Sequence, residues 1–447
     1  MKPRTTFILF LIFIALGAFY YFYQYKGGEA RKKLEEQAKK LLVFDKEKIQ
    51  GIQLKTESEN INITKTGGQW QISEPVRYNA DSLQIDNLIS TLKNAAIESV
   101  VLDSADNLQP FGLAPAKACV ILQYTDGKGD SIFVGSKNAT NAFTFAKINN
   151  QPRILLASAS LTSLTEKKLF DVRDKTLLEF TKEKVKKLNL TIGTTTFNLE
   201  KIGNNWEMLN PLRTRADNDE IDKILNKVDS EKVKEFVDEQ PTALGKYGLL
   251  PPILQIEMIL TEQNAQKRLI VGNQSGENYF AKDESRTPVF AVSKALIDVL
   301  KTDLTKLRDK KVLHFDRYAI TQIQLLYSDS TVVVNKDTAN TWTIVAPDTF
   351  KTKSWKISSL LGALVRLSAQ EFVKEGADNL KPYGLNNPAF VVTLTDSLKQ
   401  ESDILYCGNE SDKDNSYVTN KDKKNVYRVK NSDLKDIKAK LNDLIEK

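Results

Sequence analysis

The sequence predicts an α+β fold in three tandem repeats of about 136 residues, each a mostly antiparallel sheet with two helices. Three observations carry this. Trp70, Trp206 and Trp342 are spaced by 136 residues and then 136 again. Pro75, Pro211 and Pro347 keep that spacing, as do the turns Phe111-Gly112-Leu113, Tyr247-Gly248-Leu249 and Tyr383-Gly384-Leu385. A repeat this long can bury its own core. The pattern therefore describes domains in series, not a solenoid, whose units run to about 20–45 residues.

Each repeat opens near an aromatic: Phe44, Phe180 or Phe315. Short alternating runs follow, first Ile52-Gln53-Leu54, Leu188-Asn189-Leu190 and Ile323-Gln324-Leu325, then Ile61-Asn62-Ile63, Phe197-Asn198-Leu199 and Val332-Val333-Val334. Period-two alternation reads as half-buried strands. Turn residues come next: Gly67-Gly68, Gly203-Asn204-Asn205, and Asp337 to Asn340. They tolerate positive φ or bond their own backbone, as hairpins require. The third strand carries the tryptophan, and proline ends it because proline donates nothing to a ladder. Each tryptophan precedes aliphatics at period two, a core-facing pattern, so the rings read as packing and not as a sugar platform.

A helix follows, started by Ala80-Asp81 and Ala216-Asp217, with Asp at the positive end of the helix dipole. Repeat three has Lys353 there, a weaker start. Leu83, Ile85, Leu88, Ile89 and Leu92 have helical spacing, and the other repeats copy it. Next come a strand and the aromatic-Gly-Leu turn. Glycine at Gly112, Gly248 and Gly384 predicts a backbone conformation that a Cβ would oppose. Further strands pass through Val134-Gly135, Val271-Gly272 and Cys407-Gly408. A closing helix is expected over 161–172, 294–307 and 432–445, and repeats one and two exit through Arg173-Asp174-Lys175 and Arg308-Asp309-Lys310. The domain boundaries so read are 43–177, 178–312 and 313–447.

The chain carries no Walker motif, metalloprotease motif, zinc spacing or dinucleotide fingerprint. No cofactor is implied, and a non-enzyme is the reading. The weak ligand candidates are Asp103, Glu239 and Glu375, carboxylates at one equivalent position just before the aromatic-Gly-Leu turn. Their plainer expected role is to bond turn amides. Trp355 is a further candidate, since it lies outside the repeat pattern. His314, the only histidine, sits at the junction of repeats two and three, where a structural role is expected. Cys119 and Cys407 occupy non-equivalent positions and read as core fillers.

The net charge of +7 is uneven. Residues 1–40 hold eight Lys/Arg against three Glu, which leaves the rest of the chain near +2. A mixed, nearly neutral surface excludes nucleic acid as the expected partner. From Phe7 to Tyr23 there are seventeen residues without a charge, long enough to span roughly 26 Å as a helix. Tyr20, Tyr21, Tyr23 and Tyr25 form half of an aromatic belt. The bulky run after Ala15-Leu16-Gly17 favours an uncleaved anchor (1–28) over a cleaved signal peptide. Residues 29–42 read as a helical stalk with an apolar stripe at Leu34, Ala38, Leu41 and Leu42. The charges beyond the span, counted alone, favour a cytoplasmic large domain.

The ordered set resembles the domain-of-unknown-function 4340 family of bacterial envelope proteins. The set comprises an N-terminal span, a W-x-I/M-x-x-P strand, Ala-Asp before an amphipathic helix, the aromatic-Gly-Leu turn, a Val-Gly strand end and an Arg-Asp-Lys exit. It covers roughly residues 43–447. Repeat three departs from it at Lys353 and Cys407 and lacks the exit. The resemblance implies an extracytoplasmic, non-catalytic accessory or substrate-engaging subunit near ABC-type permeases related to gliding-motility components. It brings no active site. It also implies an inner-membrane, single-pass protein with a periplasmic large domain, the orientation adopted against the charge count. Cell-wall or polysaccharide binding is the alternative function.

Overall fold

The computed structural model describes residues 3–21, 39–398 and 400–446. Helix α1 covers Pro3–Phe19. Among the described residues, no helix is long and apolar enough to cross a membrane. The end of the apolar segment at 22–23 and the stalk over 29–38 lie outside the described residues.

Repeat one begins with a meander of β1 (Ile49–Thr56), β2 (Asn60–Thr66), β3 (Gln69–Glu74) and β4 (Tyr78–Asn79). Helix α2 (Ser82–Asn94) leads to β5 (Ile97–Leu102). A second meander follows: β6 (Ala118–Tyr124), β7 (Gly129–Lys137), β8 (Phe143–Ile148) and β9 (Ile154–Ser158). They form one nine-stranded sheet in the order β4-β3-β2-β1-β6-β7-β8-β9-β5. Antiparallel β1–β6 pairing, with Leu54 opposite Val120, joins the two meanders. The long connection through α2 carries β5 to the far edge, where it pairs with β9. Repeats two and three have nine-stranded sheets of the same strand order. The fold is α+β, three similar antiparallel sheets with interspersed helices.

The described chain divides into two compact units, Met1–Thr196 with Ile224–Lys301, and Phe197–Lys223 with Thr302–Lys447. In the first unit, Ile52, Leu54, Ile61, Ile63, Trp70 and Ile72 from the sheet share one core with Ile85, Leu88, Ile89 and Leu92 of α2. In the second, Trp342 and Ile344 pack with Ile357, Leu360, Leu361 and Leu364 of the helix Ser354–Arg366. Each such aliphatic side chain contributes roughly 1.5–3 kcal/mol on burial.

The helix starts follow the sequence. Asp81 accepts from the Leu83 and Gln84 amides at 3.0 and 3.2 Å. Asp217 accepts from those of Asp219 and Glu220 at 3.0 and 3.1 Å. Lys353 makes no side-chain cap.

Two expectations are corrected. The single closing helix is instead a pair of short turns, for example Lys294–Leu300 and Leu304–Leu307 in repeat two. Polar side chains claim the backbone between the turns. Asp303 accepts from the Lys306 amide and restarts the helix, and in repeat one the Thr165 hydroxyl donates to the Thr162 carbonyl. The stalk reading also fails at its C-terminal end. Leu41 and Leu42 are buried in the repeat-one core, and the Leu41 amide donates to the Ala95 carbonyl at 2.8 Å. Core burial thus overrides the local helical pattern.

Candidate functional site

The most developed polar structure lies where one repeat hands over to the next. In repeat one the short helix Leu169–Val172 ends at Arg173, and Arg173 forms a backbone bridge with Ala80. Its side chain is only 1% exposed. A buried guanidinium must be neutralised and hydrogen-bonded. Glu239 does both, accepting at 2.5 and 2.9 Å in a two-pronged pair. The guanidinium carbon also lies 3.9 Å from the Tyr78 ring centroid and 3.4 Å from that of Phe236.

A second arginine reinforces this clasp. Arg286 donates to the Tyr78 hydroxyl at 2.7 Å, to the Thr176 carbonyl at 2.9 Å, and to the Leu177 carbonyl. Asp283 holds its Nε at 2.7 Å. Burial pushes the Tyr78 hydroxyl pKa above its ordinary value, with the charges of Arg286 and Arg173 opposing it. An open cleft of about 1000 Å³ lies beside the clasp, lined by Pro75, Tyr78, Arg173, Glu239, Lys282 and Arg286 among others.

The handover to repeat three repeats the plan. Arg308 bridges to Ala216, pairs with Glu375 and lies 3.5 Å from the Phe372 ring centroid. Next to it His314 Nε2 is 2.7 Å from Asp309 Oδ2, and the His314 amide donates to Asp403 at 2.7 Å. Burial works to raise the Asp309 carboxyl. The hydrogen bonds from His314 and the Lys311 amide, with the charges of those two residues, outweigh it and hold Asp309 below its ordinary value.

This corrects the role expected of the carboxylates. Glu239 and Glu375 bond arginines, not turn amides. The amides ahead of the turns are served by Asn107, Asp238 and Asn379, at 3.0, 3.1 and 3.0 Å. Asp103 stands apart: it is 85% exposed and pairs with the exposed Arg153, at 3.3 Å. Sequence reasoning noticed both the Arg-Asp-Lys exits and the carboxylates without joining them. The available signal was that the two copies of the exit precede the two glutamates by nearly equal distances.

The repeat tryptophans and the turn glycines are structural, and Trp355 is not part of the core. Trp70, Trp206 and Trp342 are 7%, 3% and 7% exposed, so none offers a stacking face. Trp355 is 64% exposed, with Lys356 Nζ 4.9 Å from its ring centroid. Gly112, Gly248 and Gly384 have φ of 65°, 67° and 70°. A Cβ there would stand 2.8 Å from the backbone nitrogen of Ser136, Asn273 or Asn409, the residue after Gly135, Gly272 or Gly408. The sequence pattern ends the strands at those glycines, but each strand runs on past them, to Lys137, Ser275 and Asp412. The turn and the strand glycine motif therefore form one interlock. Pro75, Pro211 and Pro347 each directly follow a tryptophan strand.

Chemically, each arginine is paired with its carboxylate through its terminal nitrogens, while the Nε of Arg173 and of Arg308 is buried without a hydrogen-bond partner. Both cysteines are free, and burial pushes the Cys407 thiol up to about 12, far from a thiolate nucleophile. Among the described residues no group of three or more His, Cys, Asp and Glu is placed to hold a metal ion.

The profile of a family described as a domain of unknown function (DUF4340) matches residues 70–208, 206–388 and 342–447. Each match opens on one of the three repeat tryptophans. No curated protein matches the chain. Among solved structures, a DNA polymerase sliding clamp from Pseudomonas aeruginosa with ligand is 8% identical over 87% of this chain and 93% of its own, with a TM-score of 0.17. The DNA polymerase III subunit beta from the same organism is 10% identical over 85% and 91%, with a TM-score of 0.16. Scores this low establish no common fold.

Proposed function

The chain belongs to the DUF4340 family, and on that premise we propose that it is a membrane-anchored extracytoplasmic binding or scaffold protein, an accessory component of an ABC-type transport system. The observation that carries this reading is the paired clasp. Three copies of one unit are built to be held together through neutralised arginines, and the charged groups at the handovers are engaged with each other. That construction supports the scaffold reading.

The anchor reading rests on α1 and the apolar sequence running on to Tyr23. Phe10, Phe13, Leu16 and Phe19 are each about three-fifths exposed or more, and the helix is apolar on every side. A helix of that kind belongs inside a protein core or a bilayer. The nearly neutral remainder of the chain offers little electrostatic barrier to translocation into the periplasm.

Co-purification from detergent-solubilised membranes tests the transport reading. A permease or ATPase subunit is expected in stoichiometric yield, and its absence counts against the proposal. Protease treatment of spheroplasts carrying a C-terminal tag tests location. Loss of the tag without lysis is expected, and complete protection overturns the periplasmic assignment. Polysaccharide binding is the second reading, and with the three repeat tryptophans buried it rests on Trp355, which is 64% exposed.

A further inference from the structure

We propose that the cleft beside the first clasp binds an extended acidic peptide. The proposal adds a partner class to the binding reading and stands on the cleft alone, whether or not the chain serves a transporter.

The cleft runs along two sheet edges. Residues 75–78 lead into the edge strand β4, and residues 239–242 leave the edge strand Glu235–Asp238. The gap between these edges already takes an extended chain over part of its length. The exit segment bridges to Ala80 through Arg173 and to Lys232 through Thr176, and Arg173 has an extended φ of −81° and ψ of 140°. Sheet edges hold such chains through main-chain hydrogen bonds. The chain enters repeat one at the opposite edge of its sheet, where Lys40 bridges to Ala96 ahead of β5. At about 1000 Å³ the open part of the gap is at the upper end of the roughly 300–1000 Å³ that ligand sites span. Pro75, Pro241 and Pro288 stiffen its sides, which lowers the ordering cost of binding.

Charge sets the sign of the ligand. Four cations line the cleft, Arg77, Arg173, Lys282 and Arg286, against one carboxylate, Glu239. Glu239 is spent on Arg173, and Arg286 pairs with Asp283 at 2.7 Å. Lys282 Nζ donates instead to the backbone carbonyls of Asp283, Arg286 and Thr287, which leaves its charge standing. The two carboxylates whose charges act on it have arginines of their own, Asp283 as above and Glu284 with Arg268 at 3.0 Å. Arg77 is exposed and makes no ion pair among the described residues. Arg77 and Lys282 are thus left for an anionic partner. Burial lowers the Lys282 pKa, with the charges of Asp283 and Glu284 opposing it, so a carboxylate in the cleft supplies a counter-charge that burial makes valuable. The clasp itself does not require these features. Repeat three has Ala377 and Thr419 at the positions of Pro241 and Lys282 and still pairs Arg308 with Glu375. A sugar fits less well. Tyr78 is the only aromatic lining the cleft among the described residues, and its ring is taken by Arg173 at 3.9 Å and Phe236 at 5.4 Å.

The probe is a labelled octapeptide of alternating glutamate and proline, titrated onto the full-length protein in detergent and read by fluorescence anisotropy. Saturable binding of one peptide per chain is expected, weakening with salt. Arg77→Glu and Lys282→Gln should each weaken it about tenfold, equivalent to about 1.4 kcal/mol. Thr242→Trp, which fills the cleft from an exposed wall position, should abolish it. Arg213→Glu, the equivalent reversal in repeat two, should leave it unchanged. Arg77 and Thr242 are both exposed, so their variants keep the fold and decide the matter even if Lys282→Gln does not. Four results overturn the proposal. The first is no saturable binding to the natural protein. The second is binding that survives Thr242→Trp, or that falls equally with Arg77→Glu and Arg213→Glu, which places the peptide elsewhere. The third is equal binding of a glutamine-proline octapeptide, which takes charge out of the recognition. The fourth is tighter binding of tripolyphosphate at the same cleft, which makes a phosphate ligand the occupant.

Discussion

Arg173 lies between two rings, Tyr78 and Phe236, whereas Arg308 lies against one, Phe372. The cause is a single position: Thr214 stands where the first handover has Tyr78. The first handover also uses Arg286 to reach the Leu177 carbonyl, while at the second the Asn420 side chain donates to the equivalent Val312 carbonyl at 3.2 Å. In exchange the second has His314 and Asp309. The duplicated frame, an arginine bridged to the preceding sheet and paired with the next carboxylate, is the same in both. Its reinforcement is aromatic and cationic in one case and titratable in the other.

The largest expected effects set the baseline. Trp70→Ala and Trp342→Ala should each cost about 3–5 kcal/mol, and equally, because the two rings are equally buried in equivalent cores. Urea unfolding of each variant checks this, and clearly unequal costs would mean that the repeats are not equivalent at the core. Arg173→Ala should come next, at about 3 kcal/mol, with Arg308→Ala at about 2 kcal/mol. The first lies at the bottom of the roughly 3–5 kcal/mol for a broken buried pair and the second below it, because Glu239 and Glu375 are about two-fifths exposed. Equal losses would show that Tyr78 adds nothing.

A gain of function sharpens the same point. Thr214→Tyr should stabilise the second clasp by about 0.5–1 kcal/mol by giving Arg308 its second ring. Differential thermal unfolding reads this. The smallest effect is with pH. Asp309 has its folded pKa below its ordinary value of 3.8. Its contribution is therefore complete above the unfolded value and is lost as pH falls through the folded one. Hydrogen exchange at the Val312 amide, which donates to Leu367, should accelerate only below about pH 4, the unfolded Asp range. His314→Ala should abolish that acid step.

Much of the fold was legible because local patterns encode it. The tryptophan strand, the capped helix and the positive-φ glycine each leave a mark within a few residues, as Asp81 and Gly112 do. The sheet order was not legible. The pairings of β1 with β6 and of β5 with β9 join residues far apart in sequence, and alternation does not say which strand meets which. The two-residue strand β4 is too short to carry a periodic signal. The clasp was hidden for the same reason, since Arg173 and Glu239 are 66 residues apart. Leu41 and Leu42 misled because two leucines fit a helical stripe and a core edge equally well.

The most direct test of the clasp is a double-mutant cycle on Arg173 and Glu239, with Arg173→Ala, Glu239→Ala and the pair compared by urea unfolding. The expected result is a coupling of about 1–3 kcal/mol, as for groups in direct contact. A coupling within about 0.3–0.5 kcal/mol of zero, the additivity found for independent sites, would contradict it.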